Sequence, residues 1–508
     1  MKKQTQYLIL IFLVGFAIRL YLRLAIDNFA LEESVVVETV ALYANRFADK
    51  GFWCIPTEIY NALGSSHEPP LVPTIIAVLH LYLQLPLIQT ALYFTTITGS
   101  LMFIPFFFIV KKLSNMNKAL QLSLVFTALD IIVYKSNYLN TTESAGITLL
   151  LTSFLFILDK KYILSTVSFL LSVSAHFLPA LVIIPVISIY ILSKINTRHI
   201  EKEQVFIYIS ILVGLTCVIL GIFVIIPLIH RMASGERFSL LLFFEAIDPS
   251  KIFGLIQIIP SFIPLFLGSM FLLPFLPQIY AHRQEIHPFI LIGSIITLLE
   301  GGAFMILYSL HLSPIRIIPY FMIFLLASLA PIKLHPQSKY LFIIAILLSI
   351  FCITVVAPVK IFYYDATTTD GELEAVQWVI SQNLTSNHDW GMYGIIGDTS
   401  LLRLITLETQ LSGYRPAFAP STANIYDILV LGRDPSGIRY IILSDRMKQH
   451  AFFSFDGQDT VNTQLAFYPI TDRWQNKPFY ELTYYKNGIS IYKFTGDLGL
   501  SPAEIWGK

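Results

Sequence analysis

Apolar runs of about 20 residues, long enough to cross a bilayer, follow one another through the first 359 residues with short polar or basic connections between them. Read as helices they fall at 7–26, 87–110, 118–135, 143–158, 162–177, 179–193, 204–229, 252–279, 287–309, 314–331 and 340–358. That makes about eleven transmembrane spans. The stretch 162–193 has the length of one long helix, but His176-Phe177-Leu178-Pro179 interrupts it and basic residues stand at both ends. It predicts a hairpin of two short spans. The segment from Glu68 to Leu85 opens with Pro69-Pro70 and is apolar, and it predicts a helix lying along the membrane surface.

After Pro358 the pattern changes. Asp, Asn, Thr and Gly become frequent, and strand-like runs appear at Arg439-Tyr440-Ile441-Ile442-Leu443 and Ile489-Ser490-Ile491-Tyr492. Glu374 to Gln382 reads as a helix. The expected organisation is a transmembrane domain over 1–359 and a mixed α/β domain over 360–508, of about 150 residues, a usual domain size. The fold class is therefore a polytopic α-helical membrane protein with a C-terminal extracytoplasmic α/β domain.

Charge gives the chain its sidedness. Lys2 and Lys3, then Lys111, Lys112 and Lys118, then Lys160 and Lys161, then Lys194, Arg198 and Lys202, then Arg283, then Lys333 and Lys339 all fall in alternate connections. With the N-terminus in the cytoplasm, every one of these is an inner loop, as the positive-inside rule asks. The first loop, the Tyr134–Glu143 loop, His176, the 230–250 loop and Arg316 then share the outer face, together with the C-terminal domain.

Composition narrows the class. The 508 residues are 55% hydrophobic with a mean hydropathy of +0.68, which excludes a soluble chain. The net charge of +1 gives no field for nucleic acid or another polyanion. Cys54, Cys217 and Cys352 are scattered and make no zinc or disulfide framework. Met-Lys-Lys precedes a long apolar run with no small-residue cleavage site, so the first helix is expected to be retained.

Candidate chemistry sits on the predicted outer side. Glu32 and Glu33 follow the first span at once, with Asp27 and Glu38 nearby. Adjacent carboxylates at the mouth of a membrane helix can place a general base at the bilayer surface, or can be a solvated helix start. Glu143 stands just before a span, either as part of a helix cap or as a second acid. Glu32 and Glu143 together would offer oxygen ligands to a hard divalent cation such as Mg or Mn. His176, at a helix end, either packs at the interface or hydrogen-bonds a polar substrate. Arg316 either grips phosphate with its planar fork or snorkels to the headgroups. Arg19 and Arg23 share those two readings, and Arg19, part-way up the first helix, also reads as a helix–helix contact. Glu300 is an acid deep in an apolar span, with either a functional role or neighbouring glycines that permit close packing. The charged loop Arg231–Glu245 is a further candidate for the phosphate side.

In order, these features resemble the C-type glycosyltransferase superfamily. Arg19-Leu20 then Glu32-Glu33 resembles that family's first helix and its Asp-Glu loop motif. His67-Glu68-Pro69-Pro70-Leu71 resembles the stretch that opens a surface helix. Tyr134–Glu143 resembles the second acid-bearing loop, and Ile315-Arg316-Ile317 resembles the arginine near a late helix. The chain is most similar in feel to dolichyl-phosphate-mannose protein mannosyltransferases and related prokaryotic polyprenyl-phosphate-sugar transferases. Glu-Glu stands where Asp-Glu is usual, so the base is either Glu32 or Glu33. Trp390-Gly391-Met392-Tyr393-Gly394 lacks the aspartate of the oligosaccharyltransferase motif, so sequon recognition is not expected.

The resemblance implies an inverting transfer of sugar from a polyprenyl- or dolichyl-phosphate donor to a hydroxyl on a glycan, lipid or protein. Glu32, Glu33 and Glu143 would be the catalytic acids, and Arg316, His176 and Arg19 the substrate-binding groups. No Gly-rich nucleotide loop is present, in keeping with a lipid-linked donor. Two competing readings are a flippase of a lipid-linked molecule, which would show paired half-repeats, and a non-catalytic membrane scaffold.

Overall fold

The computed structural model describes residues 2–25, 71–85, 87–137, 141–176, 178–195, 267–306, 317–334, 338–356, 370–382, 395–396, 440–444 and 480–494. They fall into two compact units. The first is drawn from Met1–Leu22, His67–Ile76 and Gln89–Ala357, the second from Arg23–Ser66, Ala77–Ile88 and Pro358–Lys508.

The first unit is helical, and α1, α2 and α3 run across its boundaries. Helix α1 runs over Lys2–Ala25, α2 over Leu71–Leu83, α3 over Leu87–Leu101 and α4 over Phe103–Leu113. Next come α5 over Met116–Ala128, α6 over Asp130–Asn137, α7 over Thr141–Leu158, α8 over Tyr162–Ala175 and α9 over Leu178–Ile195. After them lie α10 (Leu267–Met270), α11 (Leu276–Ala281), α12 (Pro288–Ile306), α13 (Ile318–Ser328) and α14 (Ser338–Phe351). Lys3–Tyr21 and Gln89–Leu113 are each long and apolar enough to cross a membrane, and shorter apolar helices accompany them. Helix α2 starts directly after Pro69-Pro70, and the α8–α9 hairpin breaks at His176 as expected.

Two differences from the hydrophobic pattern have physical causes. The run 118–135 is not one helix: the chain turns extended at Leu129, φ −64° and ψ 127°, and restarts at Asp130. The described part of 252–279 is a chain of short turns (α10, then 273–275, then α11), because Pro274 and Pro277 cannot donate to a continuous ladder.

Aromatic packing joins the helices. Phe154 of α7 meets Phe289 of α12 at 5.1 Å between ring centres and Phe324 of α13 at 5.3 Å. Phe106 stacks on Phe126 at 4.3 Å, locking α4 to α5. From Pro319 to Ser328, α13 is buried on every side, which is why its sequence is apolar all round. Lysines gather at one end of the unit. Lys111 Nζ donates to Gln4 Oε1 at 2.7 Å, Lys112 pairs with Asp159, and Lys118 Nζ donates to the Ile332 carbonyl. Lys160, in the left-handed region at φ 58°, turns α7 into α8 at that same end.

The second unit holds α15 (Asp370–Ser381) and strands β1 (Ile395–Ile396), β2 (Tyr440–Ser444), β3 (Tyr480–Lys486) and β4 (Ile489–Phe494). The order is β1-β2-β4-β3, with β1 parallel to β2 and the other pairs antiparallel. Asn487 and Gly488 both have positive φ, 49° and 76°, the geometry a two-residue hairpin needs. Helix α15 lies on that hairpin through one face. A Cβ on Gly371 would meet the Asn487 carbonyl oxygen at 2.6 Å, and Glu374 accepts from Asn487 Nδ2 at 2.8 Å. Glu374 also pairs with Lys486 at 3.1 Å, and the Trp378 ring stands 5.2 Å from Tyr484.

Candidate functional site around Glu143

A helix start leaves several backbone N–H groups without intrahelical partners, so polar and acidic residues collect there. Helix α7 opens with Thr141-Thr142-Glu143-Ser144, and Thr142, Glu143 and Ser144 are all buried. Burial forces each polar group to find a partner. The Ser144 and Thr98 hydroxyls lie 2.8 Å apart, which ties α7 to α3. Glu143 Oε1 accepts from the Tyr320 hydroxyl at 3.2 Å, reaching from α7 to the first turn of α13. Only 1% of Glu143 and 1% of Tyr320 is exposed, so the contact lies in the protein interior.

One turn further along α7, Gly146 makes room for the α8–α9 corner. A Cβ there would stand 3.2 Å from His176 Cβ and 3.3 Å from Pro179 Cγ, and Ser172 Oγ donates to the Gly146 carbonyl at 2.7 Å. His176 is buried, and its Nδ1 accepts from the Leu178 N–H at 3.2 Å, which caps the start of α9. The same ring therefore serves the helix end and stands beside the start of α7. Glu143 and Tyr320 thus meet at one end of the first unit, and His176 packs one turn further along α7, at Gly146. Sixteen residues along α7, about 24 Å at the helical rise, lies Asp159 at the lysine-bearing end.

Arg19 lies elsewhere in this unit. It is 1% exposed, and its Nη1 donates to the carbonyls of Gly15 at 3.2 Å and Thr127 at 3.3 Å. That joins α1 to the last turn of α5, the geometry of a helix–helix contact. Glu32, Glu33 and Arg316 lie outside the described residues, as does the 230–250 loop. Glu300, on α12, has a buried carboxylate oxygen with no hydrogen-bond partner among the described residues. A Cβ on its neighbour Gly301 would meet nothing within 4 Å, so that glycine is not needed for close packing there.

Two polar groups were missed from the sequence. Tyr320 stands four residues after Arg316 in an otherwise apolar stretch. Asp130 is a lone acid in the run 118–135, and that alone marks a carboxylate that must be satisfied inside the fold. Its Oδ2 accepts from the Gly268 N–H at 2.8 Å, and its Oδ1 from the N–H groups of Ile131 at 2.8 Å and Ser269 at 3.1 Å, with the Ser269 hydroxyl as a further donor. As to metal, no group of three or more His, Cys, Asp or Glu able to hold an ion occurs among the described residues.

Solved structures share this architecture. The oligosaccharyltransferase of Archaeoglobus fulgidus, in its apo form, aligns with a TM-score of 0.57 at 10% identity, over 87% of this chain and 70% of that one. ArnT from Cupriavidus metallidurans, also apo, aligns at 0.52 and 13% identity, over 96% and 98%. The arabinofuranosyltransferase AftD from Mycobacteria aligns at 0.51 and 12% identity, over 97% of this chain and 40% of that one. No family model and no curated sequence matches the chain. At such identities the likeness is one of fold alone.

Proposed function

We propose that this chain is an inverting glycosyltransferase of the membrane, moving a sugar from a polyprenyl-phosphate donor to a hydroxyl acceptor at the outer face. The observation that carries the reading is a buried acid, Glu143, held at the end of a C-type glycosyltransferase fold opposite the end where the lysines gather. Fold alone does not fix function, so the acid and its placement bear the weight.

In this reading about eleven spans cross the bilayer, with the N-terminus and the lysine-bearing end in the cytoplasm. Residues 360–508 form the extracytoplasmic domain. Glu32, or its neighbour Glu33, takes the proton of the acceptor hydroxyl. The hydroxyl oxygen forms its bond to the anomeric carbon as the bond from that carbon to the phosphate oxygen breaks. The electron pair leaves with polyprenyl phosphate, and the configuration inverts. Arg316 balances the charge that develops on that phosphate. His176, whose Nδ1 accepts from Leu178, is the further group this reading assigns to the sugar.

A divalent cation, Mg or Mn, fits the donor set as far as Glu143 supplies hard oxygen, with Glu32 as its co-ligand. When bound it would neutralise the leaving phosphate.

The test is sugar transfer by the purified protein in lipid nanodiscs, given polyprenyl phosphates carrying tritiated mannose, glucose or arabinofuranose. Release of sugar from one of these donors, lost in Glu32→Gln and Glu33→Gln together, is the expected result. Folded protein that releases sugar from none of them, but moves the intact donor between leaflets, overturns it in favour of a flippase.

A further inference from the structure

We infer that Tyr320 is a positioning residue for this site: its hydroxyl fixes the orientation of the Glu143 carboxylate. The inference rests on the glycosyl-transfer reading above.

Helix α13 is a strip of Ile, Pro, Phe, Met, Leu and Ala, and every residue from Pro319 to Ser328 is buried. Phenylalanine would fill the place of Tyr320 with the same ring, so packing does not explain the hydroxyl. A buried phenol costs free energy unless it is hydrogen-bonded. Tyr320 meets that cost by donating to Glu143 Oε1 at 3.2 Å, across 177 residues of chain. The other polar side chain of α13, Ser328, pairs with Ser294 of α12 at 3.0 Å. Each therefore ties α13 to a different neighbour, Ser328 to α12 and Tyr320 to the acid-bearing start of α7.

The chemistry needs this. A glutamate side chain has three rotatable bonds, and an acid that must meet a cation or a sugar in one pose loses rate when it is left to rotate. With Oε1 held by the phenol, the plane of the Glu143 carboxylate follows the position of Tyr320. Arg316 precedes Tyr320 by four residues, so one stretch of chain carries both the carboxylate's support and the residue assigned to the leaving phosphate.

The experiment is a double-mutant cycle of Y320F and E143Q in nanodiscs, with whichever tritiated polyprenyl-phosphate sugar the wild type turns over. Y320F is expected to lower kcat about tenfold, the weight of one buried hydrogen bond to a charged group, with little change in donor KM. Y320F added to E143Q is expected to cost nothing more, because the hydroxyl acts through the carboxylate. Wild-type kcat in Y320F, or additive losses in the double variant, overturns the inference and leaves the glycosyl-transfer reading standing. Full activity in E143Q overturns the inference as well, and no transfer by the wild type overturns both. If Y320F does not accumulate as folded protein, 3-fluorotyrosine at position 320 keeps the shape and acidifies the phenol. The pH profile of kcat should then shift, and an unmoved profile overturns the inference.

Discussion

Asp130 is held by contacts from which the cost of removing it can be worked out. It is wholly buried, and three backbone N–H groups point at its carboxylate: Ile131 and Gly268 at 2.8 Å and Ser269 at 3.1 Å. Asp130→Ala leaves all three without this acceptor. An unsatisfied buried donor costs about 1–3 kcal/mol, so the loss should be about 3–6 kcal/mol after partial relaxation. Asp130→Asn keeps one oxygen but turns an amide N–H₂ toward the donors, and should cost about 1–3 kcal/mol. The same site is sterically tight, since a Cβ on Gly268 would stand 2.6 Å from the Ala345 carbonyl oxygen. Relaxation to refill the space is therefore limited.

The assay is thermal inactivation of purified protein in detergent, read as the monodisperse fraction after heating. Membrane proteins often unfold irreversibly, so half-lives at one temperature should be compared alongside midpoints. At about 2–4 °C per kcal/mol, a figure for domains of 150–250 residues, the alanine variant should melt at least several degrees lower, with asparagine between it and wild type. An alanine variant within about 1 °C of wild type refutes the capping argument. So would asparagine being worse than alanine, since that would make the amide's clash, and not the lost acceptor, the governing effect.

Three further outcomes follow from other residues. Glu32→Gln keeps shape and hydrogen bonding but removes proton acceptance, so turnover should fall by about 10²–10⁴ with donor binding largely kept; a kcat within threefold of wild type, by about 0.7 kcal/mol, refutes the assignment to Glu32. Arg316→Lys should weaken use of the lipid-phosphate sugar at least about tenfold, roughly 1.4 kcal/mol in kcat/KM, without lowering the amount of folded protein. Gly293→Ala puts a Cβ into the Phe324 ring and should destabilise by about 1–3 kcal/mol, measured as lost thermal stability; Phe324→Leu in the same background should restore part of it.

Much of the fold was legible because apolar runs report burial directly. The hairpin at His176, the helix after Pro69-Pro70, the α15 helix and the strands at 440–444 and 489–494 all followed from periodicity and breakers. The break at Leu129 was not legible. Its cause is Asp130, whose donors Gly268 and Ser269 lie 138 and 139 residues away, and no window along the chain contains both partners. The site divides in the same way. Glu143 declared itself as an acid before a span, while Tyr320 looked like one more aromatic in an apolar helix. Its partner is 177 residues distant.

The break itself gives buried charges an architectural task. Breaking a helix inside an apolar layer frees carbonyls at the end of one segment and N–H groups at the start of the next. The carbonyl end wants a cation and the N–H end an anion, because the helix dipole has that sign. Arg19 donates to Thr127, in the last turn of α5, and Asp130 accepts from Ile131 at the start of α6. The signs are the ones that the break requires. Asp130 also accepts from the N–H groups at the start of α10, so one anion serves two helix starts. These contacts give both buried charges a structural task at the kink. The acid with a phenol for a partner, Glu143, sits instead at the start of α7 and accepts from Tyr320 of α13. Its carboxylate is turned sideways to another helix, and a capping role alone does not call for that.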